Sequence, residues 1–217
     1  MVYSGNVHVG GPADVRELPQ VVISKLAVGE FNNNSYLLRC RSTGKQLLID
    51  AAAEPDRLAV LYGDELDAVL TTHLHKDHWQ ALADVVERTG ATTMAGAIDA
   101  PEIPVPTQVL VSDGDIINVG DVELTALHLV GHTPGSIALA YDDPDGHSHL
   151  FTGDCLFPGG VGGTWDDPER FSSLYNGVVE KFFNRYGDET WVYPGHGSDT
   201  TLGAERPQLG EWLVRGW

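Results

Sequence analysis

Apolar positions along the chain fall into short runs, each stopped by Gly, Pro, Asn or Asp. Residues 21–28, 35–40 and 46–50 read as strands, the first two joined by the turn-rich Gly29-Glu30-Phe31-Asn32-Asn33-Asn34, and the third ending in Asp50. Residues 54–62 have helical spacing, and 66–71 read as a strand. From 77 to 88 the apolar residues Trp79, Leu82, Ala83, Val85 and Val86 recur with a helical rather than an alternating period. Strands follow at 116–119 and 122–129 on either side of Gly120, then at 136–141 and 149–152 around the turn Asp142-Asp143-Pro144-Asp145-Gly146. A long helix is predicted over 171–186, a last strand over 190–193 and a short terminal helix over 206–217. Residues 1–20, broken by Gly10-Gly11-Pro12 and Pro19, read as irregular. Strands come first in hairpin-like runs and mix with helices later. With no repeat and no linker, residues 1–217 are expected to form a single domain.

Between the strand at 66–71 and the helix at 77–88 the chain reads Thr72-His73-Leu74-His75-Lys76-Asp77-His78. Packed without a metal, three imidazoles and a carboxylate this close leave ring nitrogens to satisfy and gain little apolar burial. Around divalent zinc, manganese or iron, their lone pairs become the purpose of the segment. In extended backbone His73 and His75 point to one side, and Asp77 and His78 follow where the helix is expected to begin. One loop can thus offer two ligands to one ion and two to a neighbour.

Composition narrows the partners. Thirteen Lys and Arg against 31 Asp and Glu give a net charge of −18, which repels nucleic-acid phosphate and anionic lipid. The two cysteines, Cys40 and Cys155, form no disulfide framework and fit no zinc-knuckle spacing, so a reducing cytoplasm is expected. The first twenty residues hold no apolar stretch of signal-peptide length. No segment reaches the ~20 apolar residues of a membrane span. The expectation is therefore a cytoplasmic protein with a small-molecule substrate, no nucleic-acid or membrane partner, and a homodimer as the guess for assembly.

Three further segments share one format, a short strand ending in a Gly-bounded turn with a metal-capable residue: Gly131-His132-Thr133-Pro134-Gly135, Thr152-Gly153-Asp154-Cys155 and Tyr193-Pro194-Gly195-His196-Gly197. In this order, from about Asn33 onward, the set resembles the metallo-β-lactamase superfamily and within it the glyoxalase II-like hydrolases. The segment 197–206, Gly-Ser-Asp-Thr-Thr-Leu-Gly-Ala-Glu-Arg, is similar to the stretch after the last metal histidine in that subgroup. Four motifs at compatible spacing carry the resemblance where any one alone would be weak.

The resemblance implies an α+β fold, a four-layer αββα sandwich with the metals at one edge. It also implies roles. His73, His75 and His132 hold a first ion, Asp77, His78 and His196 a second, and Asp154 bridges them. The cofactors expected are two divalent ions, zinc first, with iron or manganese as alternatives. The chemistry expected is attack of a metal-bound hydroxide on an acyl carbon, with Asp77 also orienting the nucleophile or returning a proton to the leaving group.

Other candidates read as structural. His128 is expected in sheet packing or an outer hydrogen bond, His147 and His149 in a solvated hairpin, and His8 in no role. The Gly-rich stretch 159–164 lacks the Lys of a phosphate loop and is expected to form a rim beside Asp154. Cys155 has no paired base and reads as an inert thiol. Trp79 and Trp165 border the site segments and could line an apolar pocket, with core packing equally able to explain Trp79.

The reaction expected is hydrolysis of a thioester or related acyl ester. Two departures count against a glutathione carrier. The stretch after His196 is too short for the C-terminal helical region of longer glyoxalase II proteins. Gly163 also stands nine residues after Asp154, where those proteins tend to carry a basic residue. The alternatives on the same fold are a lactone or ester hydrolase, a mononuclear-iron persulfide dioxygenase and a non-catalytic binding protein. Flavin-linked diiron relatives, which usually have Glu at the place of His75, and secreted β-lactamases fit less well.

Overall fold

The computed structural model describes residues 3–216. Among these, the first half of the chain supplies β1 (Asp14–Glu17), β2 (Val21–Val28), β3 (Asn33–Cys40), β4 (Gln46–Ile49), β5 (Ala68–Thr71), β6 (Thr92–Gly96) and β7 (Val109–Val111). They lie side by side in sequence order as one sheet, antiparallel from β1 to β4 and parallel from β4 to β7. The parallel connections carry helices α1 (Pro55–Tyr62) and α2 (Leu82–Thr89), as parallel pairing requires a crossover.

The second sheet is built from β8 (Ile116–Val119), β9 (Val122–Leu129), β10 (Ser136–Asp142) and β11 (Ser148–Gly153). After the small hairpin of β12 (Leu156–Phe157) and β13 (Gly160–Val161), it is completed by β14 (Trp191–Pro194) and β15 (Thr200–Thr201). Its order is β15-β14-β11-β10-β9-β8, with β14 parallel to β11 and the other pairs antiparallel. Helix α3 (Pro168–Val178) and the terminal helices α4 (Leu202–Glu205) and α5 (Leu209–Arg215) complete the chain.

The inner faces meet in one core, with Ile23, Tyr36, Leu38, Ile49 and Leu70 against Leu124, Ile137, Leu139, Phe151 and Tyr193. The outer face of the first sheet packs Leu37, Leu48 and Val69 on Leu58 and Val85 of its helices. The outer face of the second packs Leu127, Leu129 and Leu150 on Leu174, Phe182 and Trp212. This is the expected αββα order. Burial on both faces explains the continuous apolar runs in place of alternation.

Several elements differ from the sequence reading. The supposedly irregular terminus contains β1, a charged edge strand of the kind that discourages further pairing. β6 is not foreseen because Thr92-Thr93-Met94-Ala95-Gly96 carries little hydrophobic signal. The helix expected from 77 begins only at Leu82. Residues Lys76–His78 instead form a single 3₁₀ turn, which turns Asp77 and His78 back toward the strand ends. The helix expected from 171 starts at Pro168, where Asp167 Oδ1 accepts from the amides of Glu169 (2.9 Å) and Arg170 (3.1 Å). It passes into a π turn over Val179–Phe183, marked by Asn184 N–H donating to Val179 O at 2.9 Å. The terminal helix expected from 206 is a 3₁₀ turn over Arg206–Gln208 followed by α5, and Trp217, its expected last residue, lies outside the described residues.

The two sheets touch at one edge through a bridge between Asn33 and His196 and through Asn34 N–H donating to Gly195 O at 2.7 Å. The turns after β5, β9, β11 and β14 all open there, delivering the loop 72–78, His132, Asp154 and His196 to one place.

Candidate metal centre

The first group is a trio of imidazoles. His73 Nε2 lies 3.0 Å from His75 Nδ1 and 3.3 Å from His132 Nε2. The outer nitrogens of two of these rings are committed elsewhere. His73 Nδ1 sits 3.0 Å from Thr72 Oγ1, whose hydroxyl in turn donates to Asp50 at 2.8 Å. His132 Nδ1 donates to Gly163 O at 2.9 Å. Those bonds assign the proton to Nδ1 and leave an Nε2 lone pair directed inward. Burial holds His73 well below the usual imidazole range, helped by the His78 charge, and burial also lowers His75 and His132. All three are neutral at pH 7, the form that ligates a metal.

The second group mixes charge types. His78 Nε2 lies 3.2 Å from His196 Nε2 and 3.6 Å from Asp77 Oδ2, and His196 Nε2 lies 3.3 Å from the same Asp77 oxygen. His78 Nδ1 donates to Asp50 Oδ2 at 2.7 Å and His196 Nδ1 to Phe31 O at 2.9 Å. Burial pulls both rings down, but neighbouring carboxylates outweigh it: Asp154 and Asp50 raise His78, and Asp154 and Asp77 push His196 up to about 10. Burial works against ionising Asp77 and Asp154, and the surrounding imidazoles overcome it to hold both well below the usual carboxylate range.

Asp154 stands between the groups. Oδ2 lies 3.5 Å from His132 Nε2 and 3.4 Å from His196 Nε2, and Oδ1 lies 3.4 Å from His78 Nε2. Oδ1 is buried and makes no hydrogen bond. Donor atoms gather as His73-His75-His132, as His73-His78-Asp154 and as Asp77-His78-His196, each set within 4.8 Å. Inward lone pairs at 3.0–3.5 Å around an orphaned carboxylate oxygen fit divalent ions, and a nitrogen and oxygen donor set suits zinc, iron or manganese. Gly195 makes the approach possible, since a Cβ there would run into Asp154 Oδ1 and come within 2.8 Å of His78 Cε1.

All seven residues singled out in the sequence meet here. Several that position them did not stand out. Asp50 holds a left-handed backbone (φ 57°) and receives Thr72 N–H at 2.7 Å, the Thr72 hydroxyl and His78. Such a conformation in a non-glycine costs on the order of 1–3 kcal/mol. Its one sequence signal was a carboxylate at the end of an apolar strand. Asn33 Nδ2 donates to Asp77 Oδ2 at 2.9 Å. Asp99 ties the first two ligand loops together, accepting from Leu74 N–H at 3.1 Å and the Thr133 hydroxyl at 2.5 Å. Arg170 fixes the His132 turn through Gly131 O (2.8 Å) and His132 O (2.6 Å).

The residues read as structural divide. His128 Nε2 meets Pro134 O at 2.8 Å in the turn after His132. Cys155 is buried, and burial pushes its thiol up, away from the reactive thiolate. Trp79 packs in the helix layer and braces the histidine loop through Nε1 to Leu74 O at 2.8 Å. The solvated hairpin expected for His147 and His149 is not found: His149 is fully buried, with Nδ1 2.9 Å from the Tyr193 hydroxyl. The tyrosines of the neighbouring strands enclose it, which no local pattern around 147–149 announces.

With fold and cluster in place, the family follows. The model of the metallo-β-lactamase superfamily matches residues 28–196, and the chain belongs to that superfamily. It is 31% identical to the cytoplasmic isozyme of hydroxyacylglutathione hydrolase from Saccharomyces cerevisiae, covering 82% of this chain and 70% of that one. It spans about half, 48%, of other hydroxyacylglutathione hydrolases such as that of Fuscovulum blasticum, at 33% identity over 58% of this chain. The crystal structure of ETHE1 from Myxococcus xanthus superposes with a TM-score of 0.76 at 30% identity, over 88% of this chain and 84% of that one. TTHA1623, solved in a di-iron-bound form, superposes at 0.69 with 31% identity, over 84% and 96%. Among the described residues no helix is long and apolar enough to cross a membrane.

Proposed function

We propose that this chain is a dinuclear metal-dependent hydrolase that cleaves a thioester or related acyl ester of a small molecule. The observation that carries the reading is Asp154 between the two donor groups, with Oδ2 within 3.5 Å of both His132 and His196 and Oδ1 buried without a hydrogen bond beside His78. Two ions bound there would supply Lewis acidity toward an acyl oxygen and a water acidic enough to ionise near neutral pH. The residues do the rest. His73, His75 and His132 offer neutral donors on one side, and Asp77, His78 and His196 a more anionic set on the other. Asp77, kept ionised and oriented by Asn33, is placed to take a proton from the attacking water and return it to the departing thiolate or alkoxide.

The test is a metal count on protein purified without added metal, followed by thioester and ester panels read by thiol or acid release. Two ions per chain and turnover of at least one panel support the reading. Two ions with silence across both panels overturn it. A relative solved with iron makes iron a second metal to examine. One iron per chain with oxygen uptake on a persulfide substrate would instead assign a dioxygenase.

A further inference from the structure

A groove of about 560 Å³ runs beside the first group, lined by the apolar Leu74, Val130, Gly131 and Pro134 together with the His75 and His132 rings. Trp165 stands just outside those lining residues and borders the groove through both of those rings, lying 5.4 Å from His132 in a stacked arrangement and 5.5 Å from His75 edge-on. It is 59% exposed. Trp165 and Asp166 both hold left-handed backbone, φ 55° and 57°. More than half of the indole stays open to solvent although His132 and Arg170 lie against its ring, and left-handed backbone at two consecutive non-glycine residues carries a cost that so exposed a side chain does not offset through burial.

The charges around the groove point the same way. Arg170 is the cation among the lining residues, and its guanidinium is already engaged by Gly131 O, His132 O and the Trp165 ring at 4.4 Å. Glu169 lines the groove next to it. Lys76 is exposed on the histidine loop and outside the lining. On the opposite side of the centre stand two more aromatics. Phe31 is 67% exposed and offers its carbonyl to His196, and the Phe157 ring lies 6.3 Å from that imidazole. The rim is aromatic, and the Arg170 guanidinium, with Nε and Nη2 taken by carbonyls, is accompanied in the groove lining by the Glu169 carboxylate, so the lining carries one charge of each sign.

We propose that the groove takes an uncharged aromatic arm of the acyl substrate, stacked on Trp165, and that Trp165 sets specificity for it. This rests on the hydrolase reading above. Burying an aromatic arm against an exposed indole favours it over a zwitterionic peptide carrier by about 10- to 100-fold.

The test compares metal-loaded wild type, Trp165→Ala and Trp165→Phe on S-benzyl thioacetate and S-acetylglutathione, and on phenylacetyl and acetyl esters of one alcohol, which separates the thiol arm from the acyl arm. In the wild type, kcat/KM favours an aromatic arm at least tenfold in one of the two pairs. Trp165→Ala lowers that ratio about tenfold or more, mainly through KM, and Trp165→Phe restores most of it. Gly163→Arg, whose Cβ has open space, shifts the thioester ratio toward glutathione. An aromatic-to-polar ratio near one, or a ratio unmoved by Trp165→Ala, overturns the proposal. Fluorescence titration with benzyl methyl sulfide and with S-methylglutathione reads the groove without turnover. Saturable quenching by the first, lost in Trp165→Phe, with no hydrolysis of any substrate, would sink the hydrolase reading and keep the groove. Hydrolysis with no such quenching would do the reverse.

Discussion

The chain contains the same His-x-His spacing twice, and the copies end in different situations. His73 and His75 bring ring nitrogens to 3.0 Å with His132 beside them. His147 and His149 have ring centroids 4.7 Å apart, and Nε2 of each is buried without a partner. Among the described residues no third donor completes a group around them. The difference lies in which end of a strand each pair occupies. His73 follows the end of β5, where three other turns open. His149 sits at the start of β11, five residues and so about 16 Å of strand before Asp154. Spacing permits a ligand pair, and the convergence of loops at one sheet edge makes one.

That contrast can be broken in several places. The largest effect is expected from Asp154→Ala, which removes the oxygen pair between the two groups. Both ions should be lost by elemental analysis and turnover should fall to background, whereas two ions retained would end the bridging role. Asp50→Asn comes next. It keeps the left-handed backbone, which Asn tolerates, but weakens the acceptor that orients His78 and Thr72. Metal affinity measured by competition with a chelator should fall about 10- to 100-fold, and an unchanged affinity would reduce Asp50 to a loop brace.

His149→Phe should leave the metal count alone and cost about 1–3 kcal/mol in urea unfolding at pH 7, from the orphaned Tyr193 hydroxyl and altered packing. A drop in bound metal would show the second pair to be a site after all. The pH profile is a second readout of the same residue. Burial, with the charges of His147 and Arg16, lowers His149 to about 3. Its folded pKa lies below the unfolded 6.5, so the unfolded chain binds the extra proton between those values. The contribution is complete above 6.5 and drains as pH falls toward 3. The stability gap between wild type and His149→Phe should therefore narrow from pH 7 to pH 4, and a gap that widens would contradict the neutral, buried imidazole.

Much of the fold and of the metal centre is legible in the amino-acid sequence alone. The strands at 21–28, 116–119 and 122–129 stand at their expected limits because both of their faces meet apolar layers or a tight turn bounds them. The seven donor residues stand out because their types and glycine-flanked spacing have few other uses. The positioning residues are not legible in this way. Asn33, Asp50, Asp99 and Arg170 act on partners 22 to 44 positions away. An isolated Asn, Asp or Arg in a turn looks like any other. The start of α2 is misplaced for a related reason. The helical period of 77–88 is real, but His78 is drawn to Asp50 and Trp79 to the Leu74 carbonyl, and the 3₁₀ turn that allows this defers the helix to Leu82.

The sequence by itself determined the inventory: strand-forming runs, three Gly-bounded turns, a crowded histidine loop and an acidic surface. These follow from local propensity and side-chain chemistry, which are properties of a few neighbouring residues. Only the tertiary structure decided which His-x-His meets other donors, that Asp154 stands between two groups, and that Trp165 faces outward beside them. Those outcomes depend on two sheets packing so that four strand-end turns share one edge, a condition that no single stretch of chain contains.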